Sequence, residues 1–557
     1  MSERIFIGVA WPYANSRLHL GHVAGAYLPA DIFARYHRAR GNEVLMVSGS
    51  DIHGTPVTIR AEQEGKTPAE IANRFHELFL EDWQKLGISW DLFTTTGTEN
   101  HARVAQDVFL KLLDKGCIYK QAVTQPYCEK CRRYLPDRYV EGDCPICHSP
   151  GARGDQCEQC GKPMNSGELI QPRCKLCTIT PVYRSSEHFF LKLSAFQSTL
   201  LEWVKSQGCW RTDVQRFTQR YLEEGLLDRA ITRDIDWGIP LPLPDYQGKS
   251  LYVWFEAVIG YLSATMEWAE KRGTPDAWRN FWQDKDTKAY YFIGKDNIPF
   301  HSIIWPAMLI GYGGLELPYN IPANEFLTIE SQKFSKSRNL AVWVYDFLSR
   351  YEADPLRYLL SANMPETSDT DFSWREFVRR TNDELVATYG NLVQRVLSFS
   401  YTRFNGVVPS PGTLDADSEA LLARADAAIN TVGKLLEGCR FKDAIKEAMA
   451  LAQAANRYLD DKAPWKTIKE DVASAASALY TAIGVISALK TIFYPFLPES
   501  SQRLHEYLGL DGQVSQAGWR LTMPVAGQAL RPPKVLFTKL EESVVDEEQA
   551  RMELHGA

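Results

Sequence analysis

The first fifty residues constrain the fold most. An apolar run of strand length, Ile5-Phe6-Ile7-Gly8-Val9, leads through Ala10-Trp11-Pro12-Tyr13-Ala14-Asn15 into a segment from about His22 to Arg40. Apolar positions recur there at helical spacing until Gly41 offers a stop, and Val44-Leu45-Met46-Val47 reads as a second strand. Strand, helix and strand at this spacing make a β-α-β unit, which commits the chain to a parallel sheet covered by helices. His19-Leu20-Gly21-His22 sits at the helix entry. Helix entries carry unpaired N–H groups and partial positive charge, so they suit phosphate. His19 and His22, three apart, share a face and add donors to the same anion. Gly21 leaves room for a phosphate or a flat base to approach the backbone.

At 557 residues the chain is too long for one core, and two to four domains are expected. The composition, 45% hydrophobic and 24% charged, is that of a soluble globular protein. No apolar window long enough to span a membrane is expected, and Met1 to Arg4 lead into a strand too short for a signal-peptide core. A cytoplasmic location follows. A net charge of −7 argues against indiscriminate coating of nucleic acid, while leaving room for an RNA partner held on local basic faces.

Residues 1–115 continue the alternation, with helical periods over Pro68 to Leu86 and Glu99 to Lys115. Asp51 follows the second strand directly, where ligands of such sheets bind. From 116 to 227 the pattern breaks, marking an insertion around Cys128/Cys131, Cys144/Cys147, Cys157/Cys160 and Cys174/Cys177. Each C-x2-C pair can take two corners of a tetrahedron, so two pairs complete a closed structural zinc site. The intervals between pairs, 12, 9 and 13 residues, suit knuckles joined by hairpins. Two zinc ions are expected, nested, with Cys144, Cys147, Cys157 and Cys160 on one and Cys128, Cys131, Cys174 and Cys177 on the other. Sequential pairing is equally compatible with the spacing. Cys117, Cys209 and Cys439 are expected as buried small side chains.

The sheet is expected to resume near Ile231, with a helix from Val253 to Arg272 and a strand from Ala289 to Gly294. Trp254, Ala257 and Tyr261 share one helix face. Asn297 can cap the next helix and Pro299 suits its first turn. Downstream lies Lys333-Phe334-Ser335-Lys336-Ser337, two lysines and two hydroxyls in a short polar loop, and from 377 to 540 repeated helical periods make a bundle. Residues 326–376 read as a stem and 541–557 as a tail.

A His-Leu-Gly-His helix entry paired with a late Lys-Phe-Ser-Lys-Ser loop resembles the nucleotide motifs of class I aminoacyl-tRNA synthetases. Trp11 to Asn15, Gly49-Ser50-Asp51-Ile52-His53-Gly54, Tyr252-Val253-Trp254-Phe255-Glu256-Ala257 and Phe292-Ile293-Gly294-Lys295-Asp296 narrow the match, over nearly the whole chain, to the methionyl-tRNA synthetases. The resemblance implies a doubly wound, Rossmann-like catalytic domain in two halves (1–115 and 228–325), a zinc-knuckle insert and an α-helical anticodon-binding bundle. It implies that methionine is activated by ATP and passed to initiator and elongator tRNA(Met). It places His19, His22, Lys333 and Lys336 in catalysis, and His19, Gly21, His22, Asp296 and Lys336 on ATP with Mg2+. Methionine falls to Trp11, Tyr13, Asp51, Trp254, Ala257, Tyr261 and His301, with Asp51 receiving the ammonium. The anticodon falls to Asn391, Arg395 and an exposed Trp465, since unstacked bases are read by aromatic stacking. The chain departs from many relatives at Val258, where they carry proline, and from some at Asn297, where they carry isoleucine. No appended dimerising domain follows the bundle, so a monomer is expected. Synthetases for isoleucine, leucine, valine or cysteine share both motifs. The first three carry a far larger editing insert, and the cysteine enzymes use zinc to hold their substrate. A zinc-ribbon RNA-binding protein without catalysis is disfavoured by the two intact nucleotide motifs.

Overall fold

The computed structural model describes residues 2–154, 157, 159–160, 162, 164, 167–329, 332–333 and 341–556. A five-stranded parallel sheet organises the N-terminal half, from β1 (Arg4–Val9), β2 (Glu43–Ser50), β3 (Leu92–Thr95), β4 (Lys288–Gly294) and β5 (Ala323–Asn324), in the order β5-β4-β1-β2-β3. β1 is central, with Ile7 opposite both Met46 and Tyr290. Its side chains alternate between two cores: Ile5, Ile7 and Val9 enter one and Phe6 the other, as a strand buried on both faces requires. The strand order reverses between β1 and β4, so the ligand crevice of a doubly wound sheet lies beyond their carboxyl ends.

Helix α1 begins at Leu20–His22, widens into a π-helical turn at Val23–Tyr27 and continues as Leu28–Ala39. α2 (Thr55–Glu64), α3 (Pro68–Leu86) and α4 (Glu99–Asp114) follow β2 and β3. The insertion is framed by antiparallel strands Ile118–Cys128 and Val182–Leu191, paired from Ile118↔Leu191 to Tyr127↔Val182. It ends in α5 (Thr212–Glu223). The main sheet does not resume near Ile231. Arg229–Ala230 pairs back onto the insertion and Thr232–Arg233 onto Ser250–Leu251, and the next sheet strand is β4, after α6 (Val253–Lys271). Short polar stretches flank Ile231, and they leave too little apolar length for a buried strand.

A buried ionic junction ties the sheet to the C-terminal half. Arg357, on α7 (Ala353–Ala362), is fully buried and donates to Asp31 Oδ2 of α1 at 2.6 Å, Phe496 O at 2.8 Å, Pro495 O at 2.9 Å and Leu86 O at 3.3 Å. The cations of Arg35 and Arg357 hold the Asp31 carboxyl well below the usual range despite its burial.

The bundle packs α8 (Ala416–Glu437), α9 (Phe441–Lys462), α10 (Val472–Phe493) and α11 (Pro498–Tyr507). Two sequence expectations change here. α10 is long and apolar enough to cross a membrane, but 78% of its most apolar window is buried, as suits the central helix of a bundle. Residues set aside as a tail include α12 (Ser543–Gly556), which docks through buried Glu548 on Arg350 (2.7 Å) and Tyr351 (2.9 Å). Of the three isolated cysteines only Cys439 is buried. Cys117 is half-buried and Cys209 exposed, its thiol 3.2 Å from Tyr319 O.

Candidate functional site: the crevice at the strand ends

The loop leaving β1 is pinned to its neighbours by backbone pairing. Asp51 N donates to Pro12 O at 2.9 Å, Ala14 N to Asp51 O at 2.8 Å and Ala10 N to Phe292 O at 3.1 Å. This brings Trp11, Tyr13 and Asp51 together at the reversal of strand order. Trp11 lies between two glycines, since a Cβ at Gly49 would fall 2.2 Å from its ring and one at Gly260 2.7 Å. Gly8 likewise makes room for Tyr261, 2.9 Å from where its Cβ would be. α6 supplies the opposite wall. Trp254 and Ala257 are half-buried on a helix otherwise sunk into the core, and Tyr261 is fully buried. Trp254 Nε1 donates to Tyr13 Oη at 2.5 Å and its ring meets Phe300 edge-on, with centroids 4.7 Å apart.

Asp51 is 3% exposed and its Oδ1 has no hydrogen-bond partner. Burial, and then the nearby Glu256 carboxylate, push its pKa well above the ordinary range. Such an acid calls for a cation. Glu256 is satisfied: fully buried, it meets His53 Nδ1 at 2.8 Å and His101 Nε2 at 2.5 Å, and His101 Nδ1 meets Ser263 Oγ at 2.8 Å. Despite its burial the Glu256 carboxyl is pulled below its ordinary range by these two histidines. His53 and Glu256 stand inside motifs already singled out, so their involvement was readable. His101 carried no signal beyond a helical position.

His301, 4% exposed, has its tautomer fixed by its partners. Nδ1 faces Asn297 O at 2.9 Å and must donate, so Nε2 accepts from Tyr261 Oη at 2.8 Å. Burial lowers its pKa to about 4, which keeps the ring neutral. Asn297 acts through this carbonyl and makes no side-chain cap; the next helical segment is π-helical, Phe300–Ile304, with Pro299 before it. Val258 is buried in the core behind the pocket wall.

At the entry to α1, His19 is the N-cap and His22 the third helical residue. Their rings stack with centroids 3.7 Å apart, and His19 N donates to His22 Nδ1 at 3.1 Å. Gly21 lies between them, half-buried. The chain following the late loop runs alongside: His19 bridges Trp343, Leu20 N donates to Val342 O at 3.0 Å and Val344 N to Leu18 O at 3.0 Å. Lys333 closes a short strand, Gln332–Lys333, paired with Leu327–Ile329. Its side chain and the whole of Lys336 lie outside the described residues. Asp296 is exposed at the end of β4, across the crevice from α1. Missed from sequence was Asp82, buried with neither carboxylate oxygen hydrogen-bonded and 3.8 Å from Arg17, two residues before His19.

The eight knuckle cysteines gather into two fours, Cys128/Cys131/Cys174/Cys177 and Cys144/Cys147/Cys157/Cys160, the sulfurs of each within 4.8 Å. Sulfur–sulfur separations include 3.4 Å (Cys128–Cys177), 3.8 Å (Cys131–Cys174), 3.9 Å (Cys144–Cys160) and 3.7 Å (Cys147–Cys157). A tetrahedron with Zn–S of about 2.3 Å has edges of about 3.8 Å, whereas a disulfide needs about 2.05 Å. Backbone N–H groups point at the sulfurs, as at Cys131 N to Cys128 Sγ (3.4 Å) and Ile146 N to Cys144 Sγ (3.4 Å). Both fours fit a zinc ion.

Far from the crevice, Arg395 stacks over Trp465 at 4.4 Å and pairs with Asp460 at 3.0 Å. Trp465 is half-buried, not exposed: its short helix, Pro464–Thr467, packs against α10, and Arg395 covers one ring face. Asn391 is exposed one turn away on the helix of Arg395, Asn391–Arg403.

Comparisons with known proteins agree with this geometry. Residues 5–397 match the family model "tRNA synthetases class I (M)" and residues 408–555 match "Anticodon binding domain of methionyl tRNA ligase". The methionine–tRNA ligase of Dehalococcoides mccartyi strain 195 is 67% identical over 554 residues, covering 100% of both chains. That of Thermomicrobium roseum is 53% identical over 579 residues, covering 99% of each. Among solved structures, the Mycobacterium tuberculosis methionyl-tRNA synthetase bound by methionyl-adenylate superposes with a TM-score of 0.80 at 25% identity, covering 96% of this chain and 100% of that one. The chain thus belongs to the methionyl-tRNA synthetases, class I ligases that activate methionine with ATP and join it to tRNA.

Proposed function

We propose that this chain carries out methionine activation and transfer with the groups gathered in the crevice. The observation that carries the proposal is Asp51, a buried carboxylate with a bare oxygen at the switch point of the sheet. The substrate ammonium is the cation it requires, and pairing within a low-dielectric pocket makes that contact strong. The thioether then lies among Trp11, Tyr13, Trp254, Ala257, Tyr261 and His301, where each sulfur–ring contact contributes roughly 0.3–1.5 kcal/mol. The neutral His301 ring suits an uncharged side chain.

Held this way, the methionine carboxylate is itself the nucleophile toward the α-phosphorus of ATP, so no side chain has to be activated. His19 and His22, with the N–H groups at the start of α1, receive the phosphates, Gly21 leaves room for the nucleotide, and Asp296 accepts from the ribose hydroxyls. Lys333 and Lys336 neutralise charge that builds up in the transition state, a contribution on the order of 3 kcal/mol per contact. Mg2+, bound with ATP, supplies charge neutralisation of the pyrophosphate. The cysteine fours hold structural zinc, since closed all-thiolate sets leave no open coordination position. Asn391, Arg395 and Trp465 read the anticodon of initiator and elongator tRNA(Met). We assign residues 1–115 and 228–325 to catalysis, 116–227 to the insert, 326–376 to the stem and 377–540, with the docked α12, to tRNA, in a cytoplasmic monomer. Exchange of labelled pyrophosphate into ATP, assayed with each amino acid in turn, tests the proposal. Methionine alone should support fast exchange; exchange with isoleucine, leucine, valine or cysteine instead would overturn it.

A further inference from the structure

Behind Asp51 runs a line of buried polar side chains to which the proposed reaction gives no role. Glu256 on α6 is its centre, with Oε1 2.8 Å from His53 Nδ1 and Oε2 2.5 Å from His101 Nε2. His101 continues to Ser263 Oγ at 2.8 Å, and Asn100, beside it on α4, donates to Ser263 O at 2.8 Å. Glu256, His101 and Ser263 are no more than 1% exposed, and His53 is 8% exposed. For stability alone, an apolar contact between α4 and α6 would serve as well or better than a buried ionic one. The line meets the methionine site in two places. The backbone N–H of His53 is hydrogen-bonded to the Asp51 carboxylate, and the His101 ring lies 6.4 Å from that of Trp11, tilted by 32°.

Holding the loop of Asp51 in shape does not need Glu256. Asp51 is bonded through its N–H to Pro12 O and through its carbonyl to Ala14 N. Ile52 N donates to Thr96 Oγ1 at 3.0 Å, and Ile52 O accepts from Trp237 Nε1 at 2.7 Å. What Glu256 adds is charge. Around the loop, His76 of α3 meets Ser50 Oγ at 2.7 Å, Tyr13 Oη accepts from Trp254 Nε1 at 2.5 Å, and His53 and His101 both face Glu256. The acid whose charge reaches the Asp51 carboxyl is Glu256. In an interior of low dielectric, a fixed carboxylate favours a positive charge at its neighbour, whether a proton or an ammonium.

We propose that Glu256, held by His53 and His101, is a positioning residue for the substrate amine: acting through Asp51, it supplies the second negative charge that makes the pocket demand an ammonium. The inference rests on the proposed function and adds the group that gives the amine site its charge. Binding then exchanges one cation for another. The Asp51 proton leaves to solvent as the ammonium arrives, and the amine stays fully protonated.

The test uses the full chain with Glu256→Gln, Glu256→Asp and His101→Ala, in methionine-dependent pyrophosphate exchange across pH. Glu256→Gln keeps the size of the side chain and removes its charge. Its KM for methionine should rise about tenfold or more at the alkaline plateau. The pH below which KM climbs should fall by about half a unit or more, because Asp51 then ionises more readily. Glu256→Asp keeps the charge and shortens the reach to the two histidines, so it should keep the native inflection. His101→Ala strips Oε2 of its partner, which drives a proton onto the buried carboxyl. Its inflection should move as in Glu256→Gln, and the two changes together should cost less than their sum. Methionine binding without ATP, followed by calorimetry in buffers of different ionisation enthalpy, counts the proton. Below the inflection the native chain should release about one per methionine, and Glu256→Gln fewer at the same pH. A KM raised equally at every pH with the native inflection kept would make Glu256 a packing residue and overturn the inference. So would an unchanged profile, or an inflection displaced as far in Glu256→Asp as in Glu256→Gln. Should Glu256→Gln not fold, the inflections of His101→Ala and Glu256→Asp decide the point in the same way. If the native chain itself failed to support exchange with methionine, the proposed function would be at fault instead.

Discussion

Replacing Asp51 by asparagine keeps the shape of the side chain and removes its charge, which isolates the ammonium contact. Asp51 is buried, with Oδ1 bare and Glu256 close by, so the native site without substrate holds a carboxyl that resists ionisation. Removing one partner of a buried, hydrogen-bonded charge pair costs about 2–5 kcal/mol of binding, and at about 1.4 kcal/mol per tenfold this is roughly 30- to 4,000-fold in the KM for methionine. The pH dependence has a definite sign. Because the pKa of Asp51 is raised, the ammonium binds only after a proton leaves, so the KM of the native chain should climb as pH falls through that raised value; the asparagine variant should lose this slope. Stability moves the other way. A carboxyl with a raised folded pKa opposes folding as pH rises through it, so the variant without substrate should melt no lower than the native chain at pH 8. Methionine-dependent pyrophosphate exchange across pH, with thermal unfolding with and without methionine, reads all three effects. A variant with a KM within threefold of native, or one that keeps the native pH slope, would refute the assignment of Asp51 to the ammonium.

Gly49→Ala would put a Cβ 2.2 Å from the Trp11 ring and 2.5 Å from Thr94 O; it should lower stability by about 1–3 kcal/mol and raise the KM for methionine, measured by thermal unfolding and exchange. Trp465→Ala should weaken aminoacylation by stacking-sized amounts, roughly 1–3 kcal/mol, with exchange near normal. Were both reactions to fall together, Trp465 would be a packing residue. Changing Cys128 and Cys131 together to serine should reduce bound zinc from two ions to one. Alkylation of the folded variant should then label Cys174 and Cys177 and spare Cys144, Cys147, Cys157 and Cys160; protection of all six would contradict two independent sites.

Local patterns carried the parts of the fold that local physics decides. The apolar runs of β1, β2 and β4 and the periods of α3, α4, α6 and the bundle helices were legible because burial on one or both faces writes itself into side-chain spacing. The motifs at His19–His22 and Asp51 were legible because strand ends are where such sheets bind ligands. Features set by distant partners were not. Nothing in the sequence places His101 against Glu256, because they meet only when α4 packs on α6. Val472–Phe493 has the composition of a membrane span, and only its neighbours α8 and α9 make it a bundle core. Trp465 looked like an exposed reader of bases; the Arg395 guanidinium on its face shows what spacing cannot. The end of the chain looked like a tail because the short apolar face that packs α12 on the core, Val544, Val545 and Met552, is interrupted by Glu548, which pairs with Arg350 and Tyr351.

The account as a whole stands on methionine being joined to tRNA by this one chain. Purified protein, ATP, Mg2+ and unfractionated tRNA, supplied with each labelled amino acid in turn, would test it most directly, with the charged species resolved on an acid gel. The account predicts a methionyl ester on tRNA(Met) alone, released as the free amino acid by mild alkali. Label on tRNA from any other amino acid, or methionine activation with no methionyl-tRNA formed, would contradict it.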